Sequence, residues 1–404
     1  MIRSGVQLVR AAQSGSGGIG KCGMATAALK RTVLYDAHKE LQAKMAEFAG
    51  YEMPIQYPDG IKDSHLWVRA SAGLFDVSHM GQIRLRGKDR VEFIEKLVTA
   101  DVGNTPLGLA NLSVFTTEKG TIIDDTIITN LGDEVGLVIN AGCKDKDIEH
   151  IKEHLEVAKK NGMDVDLEII NDHELLALQG PKAMEVLSGM VDAKDLDLVK
   201  MNFMTAQPAN VMGIPCHVTR CGYTGEDGFE ISVPGENAKE FFAGMLADER
   251  VRPAGLGPRD SLRLEAGLCL YGSDIDETTT PVEANINFVV AKSRRASGGF
   301  LGDKIILSQI ADKTLTDRKR CGLVITGAPA RGGERVFDLD MNLIGTISSG
   351  TYSPTLMKPI CMAYLNKPFN KVGTDVQVNV RGRMNKATVV KMPFVEARYY
   401  RAPE

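Results

Sequence analysis

Apolar positions along the chain recur with two different periods. Val91, Ile94 and Leu97-Val98 fall three and four residues apart, so Arg90 to Val98 reads as an amphipathic helix. Further helices are predicted over Ala37 to Phe48, Ser64 to Ala72, Lys144 to Lys160 and Lys182 to Gly189. Strands are predicted at Gln82 to Arg86, Ser113 to Thr117, Gly120 to Asn130, Glu134 to Asn140, Val165 to Ile170 and Glu174 to Gln179. The prolines in Met53 to Pro58 hold that stretch extended. Helix and strand mix without regular βαβ alternation, which predicts an α+β fold with antiparallel sheets. From Gly322 onward the helical period disappears. Short strands at Gly322 to Ile325, Gly345 to Ser349, Ile360 to Leu365, Val376 to Val380 and Ala387 to Lys391 predict a C-terminal antiparallel β-barrel or sandwich over residues 320–400. Residues 296–319 then read as the linker to it.

Two places concentrate chemistry. In Thr219 to Ser232 three glycines (Gly222, Gly225, Gly228) stand three apart and are followed by strand alternation. Glu230 is thereby set on a strand directly after a permissive loop. Either this is a tight hairpin with a solvated Glu, or it presents an acceptor to a flat, amide-rich ligand. The second place is Asp124-Asp125, inside the Ile-rich run Thr121 to Thr129. Alternation puts Asp125 on the face of Ile123 and Ile127, where partial desolvation raises a carboxyl pKa unless a cation or donor compensates. A plain strand edge is the other reading. His79 and Cys221 lack the partner pattern of a general base or a nucleophile.

Composition narrows the classes. With 43% hydrophobic and 25% charged residues over 404 positions, the chain can bury a large core split into two or three domains. No apolar run is long enough for a membrane helix, and a formal charge of −4 argues against a general nucleic-acid binder. The seven cysteines show no Cys-x-x-Cys and no His/Cys cluster, which argues against a metal site and a disulfide framework. Residues 1–28 carry Arg3, Arg10 and Lys21, many Ala, Ser and Gly, and no acidic residue. That composition predicts a mitochondrial transit peptide, whose removal makes the mature chain more acidic. The Gly15 to Gly20 pattern G-x-G-x-x-G in this segment lacks the preceding strand and following helix of a dinucleotide site.

The Thr219 to Ser232 segment, Arg259 to Gly267, Phe75 to Met80, Asp124-Asp125, Asn140 to Cys143, Leu176 to Pro181 and Lys391 to Val395 together resemble the aminomethyltransferase (T-protein) family of the glycine cleavage system. The likeness runs in order from about Arg31 to Tyr400. It implies three domains in a ring around a central folate pocket, with residues 31–295 forming two interleaved α+β subdomains and the barrel one wall. It also implies transfer of a methylene carbon from the aminomethyl group on dihydrolipoyl H-protein to tetrahydrofolate, releasing ammonia, in the mitochondrial matrix. Tetrahydrofolate would serve as co-substrate, with no metal, nicotinamide or flavin. By the resemblance Asp125 matches the catalytic aspartate beside the reacting folate nitrogens and Glu230 the acceptor for the pterin. Arg259 matches a folate-binding arginine and Tyr399 a tyrosine closing the site, while Met80 and Asn140 match pocket-lining residues. The implied partners are H-protein and the other cleavage-system components; Lys292, Arg294, Arg295 and Arg331 are candidate basic contacts for the former. Two relatives stand as alternatives. One is a folate module fused to dimethylglycine or sarcosine dehydrogenases, whose flavin domain has no counterpart here. The other is a non-catalytic folate-binding accessory protein, whose Lys-Gly-Cys-Tyr type signature differs from Arg220-Cys221-Gly222-Tyr223.

Overall fold

The computed structural model describes residues 28–192 and 194–403. Nearly all of the predicted transit peptide, and the glycine pattern within it, therefore lie outside the described residues. The described chain opens with α1 (Tyr35–Glu40), β1 (Lys44–Phe48), β2 (Tyr51–Gln56), α2 (Gly60–Ala70), β3 (Ala72–Asp76), β4 (Gly81–Arg86) and α3 (Arg90–Ile94). Next come β5 (Ala110–Thr116), β6 (Ile122–Asn130), β7 (Val135–Ile139), α4 (Lys144–Lys160), β8 (Asp166–Ile170), β9 (His173–Gln179) and α5 (Ala183–Ser188). They are followed by β10 (Thr205–Val211), β11 (Ile214–Arg220), β12 (Gly228–Pro234), α6 (Ala238–Leu246), β13 (Val251–Pro253), α7 (Leu256–Glu265), α8 (Lys292–Ser297) and α9 (Asp303–Ala311). The last six strands are β14 (Arg318–Ile325), β15 (Arg335–Phe337), β16 (Leu343–Ser353), β17 (Lys358–Asn366), β18 (Asp375–Val380) and β19 (Arg383–Val390).

Apart from the β1–β2 hairpin, these strands form three bodies. One is a six-stranded sheet in the order β10-β11-β12-β9-β3-β13, antiparallel except where β13 runs parallel to β3. The second is a five-stranded antiparallel sheet, β5-β6-β7-β4-β8, and the third a closed six-stranded barrel, β14-β17-β16-β15-β18-β19. The α+β class and the C-terminal antiparallel barrel thus stand as expected. Each body has its own apolar core: Leu176, Phe229, Ile231 and Phe241 in the first, Ile83, Phe93, Ile128 and Leu137 in the second, Leu323, Ile347 and Val378 in the barrel. Closing the barrel removes its sheet edges and with them the need to cover unpaired backbone groups.

Three elements differ from the sequence expectation. The helix expected over Ala37 to Phe48 stops at Glu40, and Lys44–Phe48 pairs with β2 instead. Gln42 sits in the left-handed region (φ 57°), and Ala49-Gly50 both take positive φ (51° and 78°), the twist a two-residue hairpin requires. Residues 296–319 are not bare linker, since they include α9, which buries Ile306 against Val114, Ile122 and Phe300. Of the candidate basic contacts Lys292 and Arg331 are exposed, whereas Arg294 and Arg295 are engaged. Arg294 is buried and pairs with Glu95 at 3.2 Å, Arg295 donates to the carbonyls of Val290 and Asn287, and Arg331 donates to the Gly350 carbonyl.

The barrel is fastened to the rest through α7. Arg263, almost fully buried, pairs with Asp274 at 2.6 Å, and the other Asp274 oxygen accepts from Ser349 at 2.7 Å on β16. Two residues on, Glu265 accepts from Ser353 at 2.5 Å and Thr355 at 2.8 Å, while the chain after the barrel returns Phe394 N–H to the Glu265 carbonyl. Further along the tail, Arg398 pairs with Glu226 and returns its N–H to the Gly225 carbonyl at 2.8 Å, which sets the tail beside the loop that follows β11.

Candidate active site

The site begins with β6. Its pairing with β5 skips Ile123, because Phe115 lies opposite Asp124 and Thr116 opposite Ile122. This bulge moves Ile123 to the inner core, so Asp125 shares its face with Ile127 but not with Ile123 as strict alternation predicts. Asp124 is fully buried on the opposite face. Asn140, just past β7, joins the pair: its N–H and Nδ2 donate to the two Asp124 oxygens (3.0 and 2.9 Å), and Nδ2 also reaches Asp125 Oδ1 at 2.9 Å. Burial first, then the Asp124 charge, pushes the Asp125 carboxyl up to about 7, while the Asn140 amide and the Arg259 guanidinium pull it back. Asp125 is therefore poised between acid and base near neutral pH.

Facing it, the loop after β11 carries Glu230 into β12. A Cβ at Gly222 would fall 1.8 Å from Gln179 Oε1, so any other residue there has to push the Gln179 amide aside, and Gly225 adopts φ +77° beneath Ala266. Gln179 ties the loop down by donating to the Cys221 carbonyl and accepting from Thr224, each at 2.9 Å. Glu230 is buried, and desolvation raises its carboxyl, offset by Arg259 and by the Cys221 thiol within hydrogen-bonding reach. Glu230 and Cys221 line a cleft between the two sheets together with Ile127, Thr129, Leu175 and Ser232.

Arg259, in the first turn of α7, connects the two carboxyls. Its guanidinium stacks on the Tyr223 ring at 4.3 Å and acts on Asp125, Glu230 and His79 through its charge. It takes no hydrogen-bond partner among the described residues, so its donor edge stays open to an anion.

Met80 and Asn140 flank the Gly81–Ile139 pair at the end of the β4–β7 ladder; Asn140 is thereby in contact with Asp125, while Met80 packs against the apolar cluster that includes Val77 and Leu262. The remaining predicted residues sit less centrally. Tyr399 stacks on Phe203 (4.0 Å, 17°), and the charges nearest it are Arg69 and Glu226, so it stands by the glycine loop and not beside Asp125. His79 is buried with an unpartnered Nδ1, and burial drives its imidazole down to about 4. Tyr223 joins the site although no sequence motif singles it out; its place inside the three-glycine loop is the one signal the chain carries for it.

A family model described as the GCVT N-terminal domain matches residues 34–294, and one described as the glycine cleavage T-protein C-terminal barrel domain matches residues 318–396. The chain is 51% identical to "Aminomethyltransferase, mitochondrial" of Dictyostelium discoideum over 92% of this chain and 94% of the relative. It is 46% identical to the human protein of the same name, over 92% and 91%. Among solved structures, the glycine cleavage system aminomethyltransferase T from Bartonella henselae superposes with a TM-score of 0.85 at 36% identity, covering 92% of this chain and all of that one.

Proposed function

Because the chain belongs to the aminomethyltransferase (T-protein) family of the glycine cleavage system, we propose that Asp125, Glu230 and Arg259 together form the site that binds tetrahydrofolate and carries out the transfer. The protein is a mitochondrial aminomethyltransferase, and residues 1–28 are the transit peptide in this reading. The methylene carbon leaves the aminomethyl group on the dihydrolipoyl arm of H-protein and joins two folate nitrogens. The C–N and C–S bonds of the aminomethyl group break as the two new C–N bonds form, and of the two protons lost from the folate nitrogens one goes to the departing ammonia and one to the lipoyl thiolate. Proximity in a closed cleft supplies much of the rate. As ammonia leaves, positive charge develops on the methylene carbon, and the Asp125 carboxylate stabilises it and moves protons at the folate nitrogens. Glu230 accepts from the pterin N–H groups, and Arg259 offers its open edge to a folate carboxylate.

The observation that supports this reading is the pair of up-shifted carboxyls, Glu230 buried and Asp125 half-buried, sharing one open cation. It is tested by mixing the chain from about residue 29 with aminomethylated H-protein and tetrahydrofolate and following ammonia and methylenetetrahydrofolate. Product should appear only with both partners; folate binding without turnover would favour the accessory-protein alternative. Within this assay Glu230→Gln is expected to raise KM for tetrahydrofolate by about 10- to 100-fold, the loss of a charge-assisted acceptor, with less effect on kcat. An unchanged KM would remove Glu230 from the folate site.

A further inference from the structure

Asp147, in the first turn of α4, is fully buried, and neither of its oxygens has a hydrogen-bond partner among the described residues. Its own N–H is engaged by the Cys143 carbonyl at 2.9 Å, and no other N–H of the helix end bonds its side chain. The adjacent cation, Lys146, is turned away to Glu277 at 2.7 Å and the Tyr271 hydroxyl at 2.5 Å. The groups facing Asp147 are Asp124 and Asp125 from β6 and the Cys143 thiol from its own helix start. An ionised carboxylate here would be a buried, unpaired charge beside another carboxylate, one of the costliest arrangements a fold can hold. A neutral carboxylic acid solves this, because it supplies an O–H within reach of the Asp124 carboxylate.

Asp124 already accepts on both oxygens from Asn140, and the same Asn140 amide grips Asp125. We propose that Asp147 is a positioning residue for the transfer reaction, a neutral acid whose O–H donates to Asp124 and, through Asp124 and Asn140, fixes the Asp125 carboxylate. This rests on the assignment of Asp125 to the transfer chemistry. With that donor in place Asn140 has one orientation, its N–H groups toward both carboxylates. Burial and the Asp124 charge both favour the protonated form of Asp147.

Two substitutions separate the proton from the packing. Asp147→Asn keeps a neutral N–H donor, and kcat and the acid limb of the pH profile should stay as in the wild type. Asp147→Leu keeps the size and removes the donor. It should lower kcat more than KM and move the acid limb up by about one pH unit, the worth of one hydrogen bond to a charged group. A downward shift in Asp147→Asn, or an unmoved limb in Asp147→Leu, would overturn the proposal. If the Leu variant does not fold, infrared difference spectra of the wild type and Asp147→Asn above neutral pH decide. A neutral-carboxyl band present only in the wild type supports the proton on Asp147, and its absence overturns it. A wild type inactive in transfer would count against the proposed function, and the infrared band would still settle where the proton lies.

Discussion

Asp125→Asn is expected to lower kcat for methylene transfer by about 10²- to 10⁴-fold, the range for losing a positioned carboxylate that moves protons and stabilises developing charge. Tetrahydrofolate affinity should change little, because Asn keeps an acceptor for Asn140 Nδ2, now at 2.9 Å from Asp125 Oδ1. The same substitution has a second, opposite consequence. In the fold the Asp125 carboxyl rises from 3.8 to about 7, so between those values the native state holds a proton that the unfolded chain has released. The stability linked to this group is therefore fully present below about pH 4 and lost as pH rises through about 7. Asn cannot ionise and escapes that loss. The variant should melt above the wild type at pH 8, and the gap should close toward pH 4. Activity and stability moving in opposite directions is what a strained catalytic carboxylate predicts. A variant that still transfers at the wild-type rate, or melts lower at pH 8, would show that Asp125 is structural.

What the sequence revealed and what it concealed follow from the range of the interactions. Strand β6 and its two acids were legible because alternation and burial are local, and α4 matched its predicted span because seventeen residues of helical period leave little doubt. Strand β1 was misread as helix because Met45 to Phe48 has no strong β-propensity of its own and becomes a strand only by pairing with β2. The bulge that drops Ile123 out of alternation depends on where β5 ends, which no window around Asp125 contains. For the site, carboxylates stand out in an apolar run, so Asp125 and Glu230 were visible. The stacking of Arg259 on Tyr223 joins residues far apart in the chain, and the Asn140 grip on both aspartates emerges only once β7 pairs with β6. Arg294 and Arg295 read as a basic surface because sequence cannot show that Glu95 and two backbone carbonyls already engage them.

The longest-range feature carries the other large effect. Arg69, on α2, is almost fully buried between two buried carboxylates, donating to Glu226 at 2.7 Å and Glu265 at 2.8 Å. Glu226 Oε1 also takes Arg398, and the Arg398 N–H bonds the Gly225 carbonyl at 2.8 Å, one residue before Tyr399. Although burial raises it, the Glu265 carboxyl is held down to about 2 by His65, Ser353 and Arg69 together. Arg69→Met leaves two charges buried with only part of their compensation, and such a loss costs about 3–5 kcal/mol. Denaturant unfolding measures it directly, and a loss below about 1 kcal/mol would place the network among solvated surface pairs. Adding Glu226→Leu to Arg69→Met removes one stranded charge and should restore part of the stability, which a packing defect alone would not allow. Arg69 also anchors the tail that carries Tyr399 against the glycine loop. The single variant should therefore raise KM for tetrahydrofolate even under conditions where it stays folded. Asp125 and Glu230 would remain in place while one side of their cleft loosens, so KM should suffer more than kcat.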